Sequence, residues 1–253
     1  MGKLMKYELR KQLMSKIILL GVMALLEAIL LIGLFLEKQQ WVGTAIGLFF
    51  VTVFVSMFYF SFESIITFSN DLKTKQSYML FLTPRNMYQI VGAKILVTII
   101  QIVGVGLIFM VIGIGNMFLV ASRFGELQEL LDIIKELIQM LADVEIRLVE
   151  VVYVILMMLV AWLVFITMAM FAITLSSTLF ANKKYKGVLS VVIYFVLDWL
   201  VTKVAALVIP TGFLKSGYLV VNTEAWAFIG VYTVVLVLDF VGTALLLEKK
   251  VNV

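Results

Sequence analysis

Six long apolar stretches divide this chain, and basic residues crowd every second connection between them. Each stretch has about the 20 residues that a helix needs to cross a bilayer core of roughly 30 Å. Backbone N–H and C=O groups in lipid must be satisfied within the protein, so each stretch is predicted to be a helix. The predicted fold class is an all-α polytopic membrane protein with six transmembrane helices. The predicted spans are roughly 17–36, 42–62, 91–115, 151–180, 187–208 and 225–247.

The lysines and arginines predict the orientation of these spans. With six spans, 14 of the 20 basic residues fall on one side and 6 on the other. Because basic residues accumulate in cytoplasmic loops, the richer side, with both termini, is predicted to be cytoplasmic. The inner set is Lys3, Lys6, Arg10, Lys11, Lys16, Lys73, Lys75, Arg85, Lys94, Lys183, Lys184, Lys186, Lys249 and Lys250. The outer set is Lys38, Arg123, Lys135, Arg147, Lys203 and Lys215.

Composition excludes several classes of function. The chain has 253 residues, of which 63% are hydrophobic, and its mean hydropathy is +1.13. Six spans and one insertion use this length, which leaves no room for a soluble catalytic domain. The absence of cysteine and histidine excludes disulfides, thiol nucleophiles, zinc fingers and histidine relays. The net charge of +4 reflects the positive-inside bias, so no nucleic-acid partner is predicted.

Residues 3–16 are predicted to form an amphipathic helix in the cytoplasmic interface, ahead of a first span that is retained and not cleaved as a signal peptide. Basic side chains on this elbow, residues 1–16, would meet anionic lipid headgroups. The helix is either a topology anchor or an elbow that transmits motion to the first span. Its apolar face holds Met5, Leu9 and Leu13, and its basic residues are Lys3, Lys6, Arg10 and Lys11.

The segment 69–94 is the largest predicted cytoplasmic connection. Ser69, Asn70 and Asp71 are good helix N-caps and predict a short helix. Thr83-Pro84 would end this helix, and Asn86 could start the next. Apolar residues that project into the cytoplasm favour a protein partner, although they could also lie in the lipid interface. These residues are Tyr78, Met79, Phe81 and Leu82.

Two sequence features and the layout resemble ABC-2 type permeases, the membrane subunits of bacterial ABC exporters. The features are the basic opening 6–11 (KYELRK) and a connection with Asp71, Lys75, Pro84 and Lys94. The resemblance implies a bacterial cytoplasmic membrane location, a second permease copy in a homo- or heterodimer, and a separate ABC ATPase that binds ATP and Mg. Coupling to that ATPase is implied for segment 69–90, namely Asp71, Lys73, Lys75, Tyr78, Met79, Phe81, Leu82, Pro84 and Arg85. A second contact is implied for Lys183, Lys184 and Lys186.

The residues themselves agree with a separate ATPase on one point. A P-loop requires a Gly-x-x-x-x-Gly-Lys-Ser/Thr run that holds phosphates, and this sequence contains none. The chain is therefore expected to bind no cofactor and to be a transport subunit, not an enzyme. Apolar, aromatic spans with a few carboxyl groups favour a hydrophobic or amphipathic cargo. A peptide is the predicted cargo, with lipids or drugs as alternatives.

Residues 119–149 form a predicted extracellular insertion. Leucine and isoleucine recur there at helical spacing, and acidic residues fill the opposite face. The segment is too polar to cross the membrane. The segment could form a helical cap that packs on the outer ends of the spans or on a dimer mate. Alternatively, it could form an acidic vestibule that favours cationic cargo.

Three carboxyl groups are predicted at membrane depth: Glu27, Asp198 and Asp239. A carboxylate in hydrocarbon costs a few kcal/mol, so such residues usually face a cavity or a partner. They could line the translocation pathway, or they could be protonated or hydrogen-bonded to a neighbouring helix. Asp198 could also lie near enough to a helix end to reach water.

Glycines in two spans predict close helix packing, with hinge motion as the alternative. They are Gly43 and Gly47, then Gly104, Gly106, Gly113 and Gly115. Phenylalanines and tyrosines of the second span could line an apolar pathway, or face lipid or the core.

Two other functions compete with the permease. The first is an ion-coupled secondary transporter or channel that uses the three intramembrane carboxyl groups as a relay. The second is an intramembrane aspartyl enzyme built on Asp198 and Asp239, whose surrounding sequence lacks the expected glycine context.

Overall fold

The computed structural model describes residues 2–73, 86–125, 148–180, 185–209 and 223–251, with 127–128, 131–132, 134–136 and 139. In this part of the chain the elements are helices. Six of them, α2–α7, are long and apolar enough to cross a membrane, which confirms the predicted spans. The helices are α1 (Gly2–Lys11), α2 (Leu13–Phe35), α3 (Gln39–Lys73), α4 (Met87–Phe124), α5 (Leu148–Leu179), α6 (Lys186–Val208) and α7 (Thr223–Val251).

Helices α3 and α4 are longer than a single crossing requires. Their 35 and 38 residues correspond to about 52 and 57 Å at the α-helical rise of about 1.5 Å per residue. The prediction that Ser69, Asn70 and Asp71 cap a separate short helix is wrong, because α3 continues through them to Lys73. The predicted start at Asn86 is confirmed, since its Oδ1 accepts a hydrogen bond from the Tyr88 N–H at 3.3 Å.

The N-terminal elbow is shorter than predicted. Helix α1 ends at Lys11, and α2 begins at Leu13 after a break at Gln12, whose φ and ψ are −101° and 16°. A single helix over 3–16 is therefore wrong, and Leu13 belongs to the spanning helix. Within α1 the basic residues Lys3, Lys6, Arg10 and Lys11 are exposed, whereas Leu4, Met5 and Leu9 are half-buried.

The chain forms two compact units. The first comprises Met1–Phe62 and Leu96–Glu145, and the second comprises Glu63–Ile95 and Ile146–Val253. The boundary between them falls within the continuous helices α3 and α4.

A tight turn joins α2 to α3 in the first unit. The Lys38 N–H donates to the Gly33 carbonyl at 2.9 Å, and the Glu37 N–H donates to the Leu34 carbonyl at 3.3 Å. This bonding pattern is a Schellman motif, and Glu37 takes its left-handed position with φ of 54°. A Cβ on Gly33 would lie 3.1 Å from side-chain atoms of Trp41 and Val42, so glycine there lets α3 start close to α2.

Apolar side chains hold the first unit together along its length. Near the α2–α3 turn, Leu30 and Leu34 pack with Val42 and Ala45. Further from the turn, a second cluster brings α2, α3 and α4 together. It comprises Met23, Phe49 and Phe109, whose two phenyl rings meet edge to face with centroids 5.4 Å apart.

In the second unit, α5 packs against both α6 and α7. Tyr153, near the start of α5, is fully buried and meets the Trp226 ring of α7 with centroids 5.7 Å apart. Phe165 of α5 meets Tyr194 of α6 at 5.7 Å. Buried hydroxyls on α5 bond to carbonyls one turn back, as Thr174 does to Met170 at 2.8 Å, which satisfies them without a partner helix.

The glycines differ in what surrounds them. A Cβ on Gly43 or Gly47 would meet no atom within 4 Å, so the predicted close packing there is not made in the described part of the chain. Gly242 of α7 is the opposite case. A Cβ there would lie 2.7 Å from Cε2 of Phe171, so α5 and α7 approach closely at this point.

Gly242→Ala tests this close approach. We expect it to lower the free energy of unfolding by about 1–3 kcal/mol, because overpacking forces the Phe171 ring or the helix backbone to move. The matched control is Gly230→Ala on the same helix, where a Cβ meets nothing within 4 Å. Unfolding in mixed micelles, followed by circular dichroism, measures both. Equal stability of the two variants would contradict the packing described here.

Candidate functional site

A buried ion pair joins α3 to α4 inside the second unit. Lys94 Nζ lies 2.5 Å from Asp71 Oδ2, and the two side chains are only 4% and 5% exposed. Asp71 lies in the last turn of α3, and Lys94 lies two turns into α4. Both residues are among those that carry the resemblance described above, and the structure brings them into contact. The pair fixes the two helices on either side of the connection between them.

Most remaining residues of the predicted coupling segment lie outside the described residues, and for Lys73 the backbone is described but the side chain is not. This holds for the predicted second contact as well, although Lys186 is the first residue of α6. These predictions therefore stay predictions. The residues concerned are Lys73, Lys75, Tyr78, Met79, Phe81, Leu82, Pro84 and Arg85, with Lys183, Lys184 and Lys186.

An amide pair fixes the elbow between α1 and α2 to α4 in the first unit. The Gln101 Nε2 of α4 donates a hydrogen bond to Oε1 of Gln12, and both side chains are buried. Lys16 Nζ donates to the Gln12 carbonyl at 3.2 Å, which satisfies a backbone group at the helix break. The break between α1 and α2 is therefore bonded to α4.

Glu27 forms a hydrogen bond within the first unit. The Asn116 Nδ2 of α4 donates to Glu27 Oε1 at 2.7 Å. Asn116 is buried and Glu27 is half-buried. Of the alternatives considered for Glu27, the hydrogen bond to a neighbouring helix is thus confirmed. Each residue lies eight positions from the end of its helix, at Phe35 and Phe124, or about 12 Å along the axis.

Asp198 and Asp239 lie in the second unit in contrasting surroundings. Asp239 of α7 is buried, and its Oδ2 has no hydrogen-bond partner among the described residues. Asp198 of α6 is exposed and lies within electrostatic range of Tyr194 and Tyr232. In the described chain no hydrogen bond joins the two carboxyl groups, so the structure offers no aspartyl dyad.

An apolar groove of about 500 Å³ lies between α3 and α4 in the first unit. Its walls include Phe49, Phe50 and Met57 of α3, with Phe109 of α4. Gly106 and Gly113 of α4 also line it, so the absence of two side chains contributes to the space. Two aromatic residues of the second span, Phe49 and Phe50, thus line a groove, whereas Phe54 and Phe58 do not line it and are exposed.

Three amide residues of these sites were missed by the sequence reasoning: Gln12, Gln101 and Asn116. Each is buried within or beside an apolar span. The sequence does contain a signal for these contacts, because an uncharged amide at membrane depth commonly bonds to a neighbouring helix. Among the described residues, no group of three or more acidic side chains could hold a metal ion.

Comparison with known proteins yields no match: no family model, curated protein or solved structure is significantly similar to this chain.

Replacing Lys94 with methionine tests the buried ion pair. We expect Lys94→Met to lower the free energy of unfolding by about 3–5 kcal/mol, because it leaves the Asp71 carboxylate buried without its lysine. Asp71→Leu/Lys94→Met should recover most of this loss, since apolar side chains can replace a buried pair at little cost. Unfolding of the purified protein in mixed micelles measures both variants.

The matched control for this prediction is Lys135→Met. Lys135 pairs with Asp132 at 3.0 Å, and both side chains are 71% exposed. We expect a change of about 0.5 kcal/mol or less, since solvent screens an exposed pair. A loss at Lys94 no greater than the loss at Lys135 would show that the Asp71–Lys94 pair does not stabilise the second unit.

Proposed function

We propose that the chain is the membrane-spanning permease subunit of an ATP-driven ABC exporter in a bacterial cytoplasmic membrane. The observation that carries the proposal is the buried Asp71–Lys94 pair. It holds together two helices that extend well beyond the length of one membrane crossing, on either side of segment 74–85. A connection that transmits force from a partner requires that the helix ends on either side of it be held in place, and this ion pair holds them.

Energy for transport would come from a separate ATPase. The chain contains no P-loop, and six spans account for most of its length. The ATPase would bind ATP and Mg and would dock on segment 69–90, with a smaller contact at Lys183, Lys184 and Lys186. The amide-bonded elbow at Gln12 supports a mechanism in which α1 moves together with α2 and α4.

A second permease copy is part of the proposal. Helix α6 is exposed along most of its length, including Phe195, Trp199 and the carboxyl group of Asp198. A carboxylate facing hydrocarbon at mid-membrane costs a few kcal/mol. Cover by a second copy, or by a water-filled path between two copies, would remove that cost.

The cargo would be hydrophobic or amphipathic, and a peptide is our first candidate. The groove between α3 and α4 supports this choice, because its lining is almost entirely apolar. Pockets of about 300–1,000 Å³ commonly enclose ligands of drug size, so the groove could hold a few apolar side chains at a time.

One observation favours a second candidate, an ion-coupled transporter or channel. The buried Oδ2 of Asp239 lacks a hydrogen-bond partner in the described chain, as expected of a carboxyl group that binds and releases an ion. Uptake into vesicles that depends on an ion gradient, proceeds without ATP and is lost in Asp239→Asn would establish this function instead.

The double substitution Tyr78→Asp/Phe81→Asp tests the proposed ATPase contact. Two charges in an apolar docking surface should weaken binding of the partner by about a hundredfold or more, since each buried carboxylate lacks a counter-charge. The measurement is the amount of P-loop ATPase that co-purifies in mild detergent, and the rate of ATP hydrolysis in the eluate. The protein itself should elute unchanged from a size-exclusion column.

A matched control places two aspartates on the predicted opposite side of the membrane. Leu127 and Leu131 are exposed apolar residues there, so Leu127→Asp/Leu131→Asp should leave ATPase binding intact. If the ATPase still bound the Tyr78→Asp/Phe81→Asp variant and transport continued, the assignment of the coupling segment would be wrong.

A further inference from the structure

The lining of the groove between α3 and α4 includes a polar side chain. Asn116 is the one polar side chain that lines it in the described part of the chain. The same Asn116 donates the 2.7 Å hydrogen bond to Glu27 Oε1. A carboxyl group therefore lies one hydrogen bond away from a space whose other walls are apolar.

Glu27 has capacity for a further partner. It is half-buried, not enclosed, and it has no cation within ion-pair distance in the described chain. A carboxylate at membrane depth is costly unless it is paired. A positively charged group placed beside Asn116 would pair with the Glu27 carboxylate and remove the cost of holding that charge at membrane depth.

The apolar walls alone could not select a ligand. Lipid chains are as apolar as leucine, so little is gained when an apolar side chain replaces a lipid chain in the groove. Selection must come from the polar end, where a positive charge meets a carboxylate. The preferred occupant is thus a molecule with a basic group next to apolar groups.

We propose that the groove and the Glu27–Asn116 pair form a binding site for a cationic amphipathic peptide. A lysine, an arginine or the amino terminus would pair with Glu27, and adjacent apolar side chains would fill the space beside Gly106 and Gly113. That the bound peptide is cargo rests on the permease function proposed above, whereas the existence of the site does not.

Photo-crosslinking tests the site in the full chain. The protein is placed in nanodiscs of phosphatidylcholine without an ATPase. The probe is a synthetic helical peptide of leucine and lysine that carries a photoreactive leucine. Crosslinks mapped by mass spectrometry should fall on 46–57 of α3 and 106–117 of α4. A peptide with glutamine in place of each lysine controls for purely apolar adhesion.

Two variants of the protein separate the charge from the space. Glu27→Gln keeps an acceptor for Asn116 but removes the charge, and it should lower crosslinking in the groove about tenfold or more. Gly106→Leu fills the groove and should also lower crosslinking there about tenfold or more. It tests the site independently if Glu27→Gln does not fold. Its matched control is Gly104→Leu, because Gly104 does not line the groove and a Cβ there meets no atom within 4 Å.

Several results would overturn the site. Equal crosslinking by the glutamine peptide would show a lipid-like groove without charge selection. Unchanged crosslinking in Glu27→Gln and Gly106→Leu, or crosslinks outside the groove, would place the peptide elsewhere. These outcomes are distinguishable from failure of the permease proposal, which concerns ATPase binding. Crosslinking without any co-purifying ATPase would retain the site and reject the permease.

Discussion

Polar groups that lie within a bilayer must find their partners inside the protein, and this constraint organises the structure. It makes each apolar stretch a helix, since only then are the backbone groups satisfied within the segment. Polar side chains buried between helices need partners for a related reason, because they too are removed from water. Gln12 bonds to Gln101, Glu27 bonds to Asn116, and Asp71 forms an ion pair with Lys94.

The polar contacts differ in what they can contribute. The Gln12–Gln101 contact joins two uncharged amides, so it avoids the desolvation cost of a buried charge pair. The Asp71–Lys94 pair carries that cost, so its value lies in fixing where α3 and α4 stand relative to each other and less in added stability. Both helices continue without interruption from this pair to the residues that line the groove.

Sequence reasoning recovered the spans and not the contacts between them. Apolar length and charge alternation are local properties, so the six helices follow directly from them. The extension of α3 to Lys73 was missed because residues 63–73 lose the apolar pattern of a span while remaining helical. The predicted elbow helix is too long because Leu13 continues the spacing of Met5 and Leu9 across the break at Gln12.

Local sequence patterns do not identify the partners of the charged residues, because these partners lie far away along the chain. Glu27 and Asn116 are separated by 89 positions, and Asp71 and Lys94 by 23. Nothing in a single sequence states which helix faces which. The residue types still carry information, because a carboxyl group in a span predicts a cavity or a partner, and the hydrogen bond from Asn116 gives Glu27 a partner.

We propose that this chain works as a permease driven by a separate ATPase. Purification from the native membrane in mild detergent, followed by quantitative mass spectrometry of the co-eluting proteins, tests this proposal. We expect a P-loop ATPase in stoichiometric amount with the chain. A stable protein that elutes without any ATPase would contradict it and would favour ion-coupled transport through the intramembrane carboxyl groups.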